Sequence, residues 1–106
     1  MIIKFETPVE FEGKKYPDVE IKCEDMSGAQ LKDLIKRYSR DNKITNPLLK
    51  SATVVTWDDD FAIFVAQDLS DKPFEFFDVL KASDYMLVVS MIQGFFNGSA
   101  SRQQEA

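Results

Sequence analysis

The 106-residue chain contains no histidine and only one cysteine, Cys23. Without histidine it lacks the usual general base at neutral pH, a common metal ligand, and the base of a Ser–His or Cys–His catalytic pair. A single cysteine cannot form an internal disulfide, as is typical of cytosolic proteins. Because Cys23 lies on the apolar side of an alternating pattern, we interpret it as a buried structural thiol. These absences predict a protein that is not an enzyme.

Positive charge is also scarce, since 13 Lys and Arg stand against 18 Asp and Glu and give a net charge of −5. A basic surface for binding phosphate backbones is therefore not expected, which argues against nucleic-acid binding. No apolar run approaches the roughly 20 residues that span a bilayer. The first residues do not have the pattern of a signal peptide. We expect a cytoplasmic protein that binds neither nucleic acid nor membranes.

Three consecutive carboxylates, Asp58, Asp59 and Asp60, are the stretch that most invites a metal-site interpretation. They lack the alternating ligand spacing and the glycine of a calcium loop. Acidic side chains in a first helical turn complement the positive end of the helix dipole, so we interpret them as the beginning of a helix. No metal or other cofactor is predicted.

The N-terminal part of the chain has the alternation of apolar and polar side chains that is typical of strands. Residues 9–12 and 19–24 alternate on either side of a turn at Gly13. This predicts a β-hairpin, and residues 2–5 are a candidate third short strand because Thr7-Pro8 interrupts the alternation. A two-stranded ribbon is marginal in water, so helices or a partner must cover its apolar face.

The first helix has a distinct start signal, a capping box formed by Ser27 and Gln30. Leu31, Ile35 and Tyr38 then follow at helical spacing, and we predict that the helix ends near Asp41. Residues 42–57 are compatible either with a loop followed by a strand, given the strand propensity of Thr53 to Trp57, or with a run into the next helix.

Further helices are predicted over residues 58–68, after Pro73, and from about Ser83 to Gly98. Pro73 suits a first helical turn. Ser83 or Asp84 can cap the last helix, and Asn97-Gly98 is a stop signal based on the left-handed conformation that glycine tolerates. The fold class is therefore α+β, with an N-terminal hairpin followed by about four helices, the last two forming a helical hairpin. We expect residues 1–98 to form a single domain and residues 99–106 to form a mobile polar tail.

The last helices carry more apolar surface than a small domain readily hides. Phe76-Phe77 and Phe95-Phe96 are adjacent pairs, and neighbouring positions on a helix point about 100° apart. In the last helix Leu87 and Met91 add a second apolar face beside the main one. Such residues belong either to the core or to a protein-binding or oligomer interface.

Two parts of the chain resemble the tail assembly chaperones of tailed bacteriophages and prophages. In residues 7–34, a proline, a strand, a Gly-Lys turn and a second strand precede the helix start Ser27-Gly28-Ala29-Gln30-Leu31. In residues 78–96, Leu80-Lys81-Ala82-Ser83-Asp84-Tyr85 and Gly94-Phe95-Phe96 resemble the C-terminal signature of that family. The resemblance covers about half of the chain and does not extend to residues 42–57.

The resemblance implies a non-enzymatic chaperone that binds the long, helical and poorly soluble tape-measure protein while the tail tube polymerises. Such a protein is absent from the finished virion. It is expected to form homo-oligomers, and tail tube subunits are a further candidate partner. We hypothesise that a groove made by the last two helices binds the partner. The residues expected to line it are Phe76, Phe77, Leu87, Met91, Phe95 and Phe96.

Two alternative functional classes remain open at this stage. The first is a structural protein of the phage, such as a tail-completion or tube-associated subunit. The second is a small cytosolic protein unrelated to phage, which would be a binding module, an enzyme or an inhibitor of one. An enzyme would require a defined pocket with a carboxylate of raised pKa.

Overall fold

The structure is a computed structural model that describes residues 1–98, so the polar tail predicted at 99–106 lies outside the described residues. An antiparallel β-hairpin precedes the helices, which confirms the predicted α+β fold. Between residues 1 and 98, no helix combines the length and the apolar character needed to cross a membrane. The elements are β1 (Ile2–Phe11), β2 (Lys14–Glu20), α1 (Gly28–Asp41), α2 (Ala52–Val55), α3 (Asp59–Ser70), α4 (Phe74–Asp78) and α5 (Ala82–Asn97), with a 3-10 helix (Pro47–Lys50) before α2.

The hairpin has a two-residue turn and an irregular middle. Glu12 and Gly13 both have positive φ, 51° and 78°, as the tight turns that suit twisted hairpins require. The register changes from Lys4 opposite Asp18 to Val9 opposite Tyr16, so residues 5–8 bulge out of the ladder. Prolines lack the N–H that a ladder needs, and Pro8 and Pro17 both lie at this break. The candidate third strand at residues 2–5 is therefore the first half of β1.

Helix α1 agrees with its prediction at both ends. The Ser27 Oγ accepts a hydrogen bond from the Gln30 N–H at 3.2 Å, and the Gln30 Oε1 accepts one from the Ser27 N–H at 2.8 Å. The helix ends at Asp41. Because these signals act over three or four residues, they do not depend on the rest of the fold.

The segment between α1 and α3 is helical rather than extended. The Asn46 side chain accepts from the Leu48 N–H at 3.0 Å and caps the 3-10 helix. In α2, the Thr56 Oγ1 donates to the Ala52 carbonyl at 2.7 Å. The strand interpretation of residues 53–57 is thus wrong. Strand propensity expresses how well a side chain fits a pleated surface, and no strand of the described chain pairs with this segment.

The later helices form where predicted but begin and end differently. Helix α3 extends to Ser70, and Pro73 is the N-cap of α4 rather than its first helical residue. Helix α5 begins at Ala82, and neither Ser83 nor Asp84 caps it. Gly98 has a φ of −85°, so the helix does not end through the left-handed glycine that the sequence suggested.

The main packing partner of α5 also differs from the one expected for a C-terminal helical hairpin. A three-residue connection joins α4 to α5, but α4 has only five residues. The most extensive helix contact of α5 is with α3. A single helical turn has little surface for pairing, so α3 takes the place that the sequence assigned to α4.

Phe76 joins the helices to the hairpin. Its buried ring lies 6.2 Å from that of Phe5, 5.5 Å from that of Phe11 and 5.4 Å from that of Tyr16, measured between ring centroids. The contacts to Phe11 and Tyr16 are edge-to-face, a geometry that aromatic rings favour. Helix α4 therefore seals the apolar face of both strands.

Asp84 fixes α5 to the bulge of β1. Its buried carboxylate accepts a hydrogen bond from the Glu6 N–H at 3.0 Å. Close by, the Lys81 Nζ donates to the Thr7 Oγ1 at 3.1 Å. The bulge leaves backbone groups of β1 outside the ladder, and the side chain of Asp84 satisfies one of them.

Replacing Asp84 tests this attachment. Asp84→Ala leaves the Glu6 N–H without its acceptor and should lower the free energy of unfolding by about 1–3 kcal/mol. Asp84→Asn keeps a carbonyl oxygen in place and should lose less. Urea denaturation followed by circular dichroism measures both variants. Equal losses for Asn and Ala would contradict the assigned hydrogen bond.

A second buried polar contact connects α1 to α3. The Tyr38 hydroxyl donates to the Asp58 Oδ2 at 2.7 Å, and the Asp58 Oδ1 accepts from the Asp60 N–H at 3.2 Å. Asp58 is therefore both the N-cap of α3 and the anchor of α1. Burial raises the pKa of Tyr38 well above its ordinary value, and the neighbouring Asp58 carboxylate raises it further.

The Tyr38 contact predicts a dependence of stability on pH. Because its pKa is raised in the folded state, the folded protein keeps this proton while the unfolded chain loses it above about pH 10. Stability should therefore fall as the pH rises from that point. Tyr38→Phe should cost about 1 kcal/mol at neutral pH and show a shallower fall in alkali. Some slope should remain, since burial also raises the pKa of Tyr85. Chemical denaturation at neutral and alkaline pH measures the pH dependence of stability. Identical slopes for the wild type and Tyr38→Phe would refute the role assigned to Tyr38.

Candidate functional site

The solvent-facing side of α5 is an exposed surface without charge. From Ser83 onward, the exposed residues of α5 fall within an arc of about 140° at 100° per residue. Met86 is 50% exposed, and Leu87 and Met91 are each 39% exposed. We call this surface the α5 face, and it consists of Ser83, Met86, Leu87, Ser90, Met91 and Gly94.

The absence of charge on the α5 face stands out against the rest of the protein. Charged residues make up 29% of the chain, yet the one charged residue of α5, Asp84, is buried. Surface helices of monomeric proteins normally carry charged residues opposite their apolar stripe. Depletion of charge, together with exposed methionine and leucine, is typical of the centre of a protein-binding surface.

The polar side chains of α5 serve mainly to attach the helix. The Gln93 Nε2 donates to the Trp57 carbonyl at 2.9 Å and to the Asp59 Oδ1 at 2.8 Å. The Asn97 Nδ2 donates to the Gln93 carbonyl at 2.9 Å, and the Thr56 Oγ1 donates to the Asn97 Oδ1 at 3.3 Å. The C-terminal half of α5 is thus held against the start of α3 with a fixed orientation. Gln93 and Asn97 therefore attach α5 to the rest of the protein, and we call this pair of residues the clamp.

Trp57 lies at the edge of this clamp. Its carbonyl accepts from Gln93 while 60% of its side chain remains exposed. Tryptophan is enriched among the residues that dominate binding energy at interfaces. Because it is the one tryptophan of the chain, its fluorescence can be used to follow binding at the neighbouring α5 face.

The expectation that Phe76 and Phe77 line an exposed surface is wrong for the folded chain. Both side chains are 0% exposed. Phe76 fills the space under the hairpin, and the Phe77 ring packs edge-to-face against it at 5.4 Å. The hairpin needs a cover on its apolar face, so the adjacent phenylalanines of α4 are used inside the protein.

Phe95 and Phe96 lie between the core and the surface. Both are partly buried and packed against the core cluster. Phe96 lies 6.2 Å from Phe61 of α3, and the rings of Phe95 and Phe96 are 5.3 Å apart. Of the six residues predicted from the sequence, only Leu87 and Met91 lie on the α5 face.

Sequence reasoning missed Met86, which is half exposed and next to Leu87. The signal was present, because Met86 lies one turn before Ser90 on a helix without exposed charge.

The predicted groove between the last two helices is not formed, since the phenylalanines of α4 that would form one wall are buried. The candidate site is a helix face rather than a groove.

The acidic run and the cysteine both have structural roles. Asp58 caps α3 and binds Tyr38, and Asp59 accepts from Gln93. Within residues 1–98 no three metal-ligating side chains are grouped suitably for an ion. Cys23 is fully buried, as predicted, and burial raises the pKa of its thiol, with a smaller effect from Glu24. A raised pKa lowers the fraction of reactive thiolate.

Substitutions on the α5 face and in the core should differ in their effect on the free energy of unfolding. Met91→Asp and Leu87→Asp each place a charge on a residue that is 39% exposed and remove part of its apolar contact, so each should lower the free energy of unfolding by no more than about 2 kcal/mol. Phe76→Ala removes a ring from the interior and should cost about 3–5 kcal/mol. Thermal and urea denaturation of the three variants provide the measurement. Strong destabilisation by Met91→Asp would mean that Met91 belongs to the core.

Comparisons with known proteins add no relative to this description. No protein-family model, curated protein or solved structure matches the chain.

Proposed function

We propose that this protein is a non-enzymatic tail assembly chaperone of a tailed bacteriophage or prophage, which uses the α5 face to bind the tape-measure protein. The observation that carries the proposal is the uncharged, exposed face of a firmly attached helix. The resemblance of residues 7–34 and 78–96 to that family supplies the identity of the partner. On this proposal the protein acts in the bacterial cytoplasm and is absent from the mature virion.

The physical properties of the chain fit such a role. A chaperone for a poorly soluble helical protein needs an apolar surface that covers the client and a charged remainder that keeps the complex in solution. The α5 face offers Met86, Leu87 and Met91 for the first requirement. Methionine side chains adapt to irregular apolar partners because they are unbranched and flexible. The net charge of −5 serves the second requirement.

The Asp84-Tyr85 dipeptide, which belongs to the resemblance, contributes to the attachment of α5 in this chain. Asp84 holds α5 against the bulge of β1 through the Glu6 N–H. At the other end, Gln93 and Asn97 hold the same helix against the start of α3. A helix fixed at both ends presents its outer face without a large ordering cost on binding. This supports a binding surface that exists before the client arrives.

The decisive experiment is co-expression with a tape-measure protein, chosen as a long predicted helical protein from the gene neighbourhood of this chain. The partner should become soluble and co-purify only when this protein is present. Met91→Asp and Leu87→Asp should each reduce the recovered complex at least about tenfold, since a buried unpaired charge is costly at an interface. Circular dichroism must show that both variants stay folded.

Ile2→Asp is the matched control. It also replaces an exposed apolar side chain by a carboxylate, but on β1. It should leave solubilisation unchanged, whereas an equal loss would indicate a general effect of charge. If the tape-measure candidate is indifferent and the protein instead co-sediments with assembled tails, the chaperone proposal fails and a structural subunit takes its place.

A further inference from the structure

A second surface of different chemistry lies between α1 and the segment that follows it. A cavity of about 410 Å³ opens there to solvent. The C-terminal half of α1 forms one wall, and the chain from Ile44 to the 3-10 helix forms the other. We call it the basic groove, and its lining residues are Ile35, Lys36, Ser39, Arg40, Ile44 and Lys50.

All charged residues that line the basic groove are cations, although the protein as a whole is acidic. Lys36 and Arg40 lie one turn apart on α1, and Lys50 faces them from the other wall. Arg40 is paired with Asp41 at 3.3 Å, but both side chains are mostly exposed, so this pair is weak and easily exchanged. Lys32 extends the same row by one turn towards the start of α1.

The floor of the basic groove is apolar and contains one unsatisfied polar atom. Ile35 is buried and Ile44 is half-buried. The Ile44 N–H donates to the Ser39 carbonyl at 2.8 Å, which holds the second wall against α1. Ser39 is only 7% exposed, and its Oγ has no hydrogen-bond partner among residues 1–98. Unpaired buried hydroxyls are uncommon in folded proteins, and this one belongs to a residue that lines the groove.

The rim next to Lys50 is also apolar. Leu48 is 68% exposed and Leu49 is 42% exposed, both on the 3-10 helix that carries Lys50. Two exposed leucines and the cation Lys50 therefore lie next to one another on this edge. A ligand that matches this edge must carry negative charge and apolar groups together.

We propose that the basic groove binds an acidic amphipathic segment of a partner protein. Carboxylates of the segment pair with Lys36, Arg40 and Lys50, and its apolar side chains lie against Ile44 and the exposed leucines. A nucleic acid fits less well, because its phosphate backbone has no apolar groups to match Ile44 and the exposed leucines. This site is separate in residues and in chemistry from the α5 face, and it does not depend on the chaperone proposal.

Fluorescence anisotropy with the full chain tests the proposal. The probe is a fluorescein-labelled helical peptide with leucines on one face and glutamates on the other. It should bind, and its affinity should fall as salt is raised because the carboxylate–cation pairs are partly screened. Versions with lysine in place of glutamate, or with serine in place of leucine, should not bind measurably. Equal binding of the serine version would overturn the apolar part of the site.

Charge reversals locate the binding site. The double variant Lys36→Glu, Lys50→Glu should weaken peptide binding at least about tenfold. The double variant Lys14→Glu, Lys15→Glu changes the net charge equally at the hairpin turn and should have little effect. If both double variants weaken binding alike, attraction is non-specific and the proposal is wrong.

Ser39→Ala tests the groove without changing its charge, so an effect on peptide affinity cannot come from general electrostatics. It removes the unpaired hydroxyl without changing charge, so stability should be unchanged or slightly higher. Peptide affinity should fall several-fold if the Oγ donates to a bound carboxylate, about the effect of one hydrogen bond. Met91→Asp on the α5 face should leave peptide binding unchanged. A loss of peptide binding in that variant would place the peptide on α5 and overturn the assignment.

Discussion

The structure depends on one buried ring, that of Phe76. A two-stranded ribbon does not hold its shape alone in water, and this hairpin is further weakened by the break around its two prolines. Phe76 contacts aromatic rings from both strands and covers their apolar face. The position of α4 follows from this contact. Because α5 comes three residues later, it is brought beside the bulge of β1, where Asp84 binds the Glu6 N–H.

This use of α4 determines which surface is left for a partner. Phe76 and Phe77, which the sequence offered as part of a binding surface, are buried beneath the hairpin and in the core, so the exposed apolar residues of the last two helices lie mainly on the outer side of α5. There, short uncharged side chains alternate with methionine and leucine. The clamp through Gln93 and Asn97 keeps this side turned outward. The exposed surface of α5 is therefore determined by internal packing as much as by the composition of that helix.

Charge is distributed unevenly over the molecule. The exposed side of α5 has none, and the basic groove on α1 gathers cations in a protein whose net charge is −5. Many of the acidic residues lie elsewhere, for example on the hairpin and at the start of α3. Net charge alone would exclude an acidic partner, whereas the local arrangement favours one. The two surfaces accordingly suit clients of different chemistry.

The sequence by itself determined the α+β class and the limits of α1, because a capping box acts between residues three positions apart. It also identified α5 as an apolar helix with little charge. Only the tertiary structure decided which phenylalanines are buried, since that depends on the hairpin finding a cover many residues away. The same holds for the helical conformation of residues 52–55 and for the bond from Asp84 to Glu6, which spans 78 positions. Short-range sequence signals determine where individual helices and strands form. Which side chains are buried depends on contacts between distant parts of the chain, so it is decided only in the assembled fold.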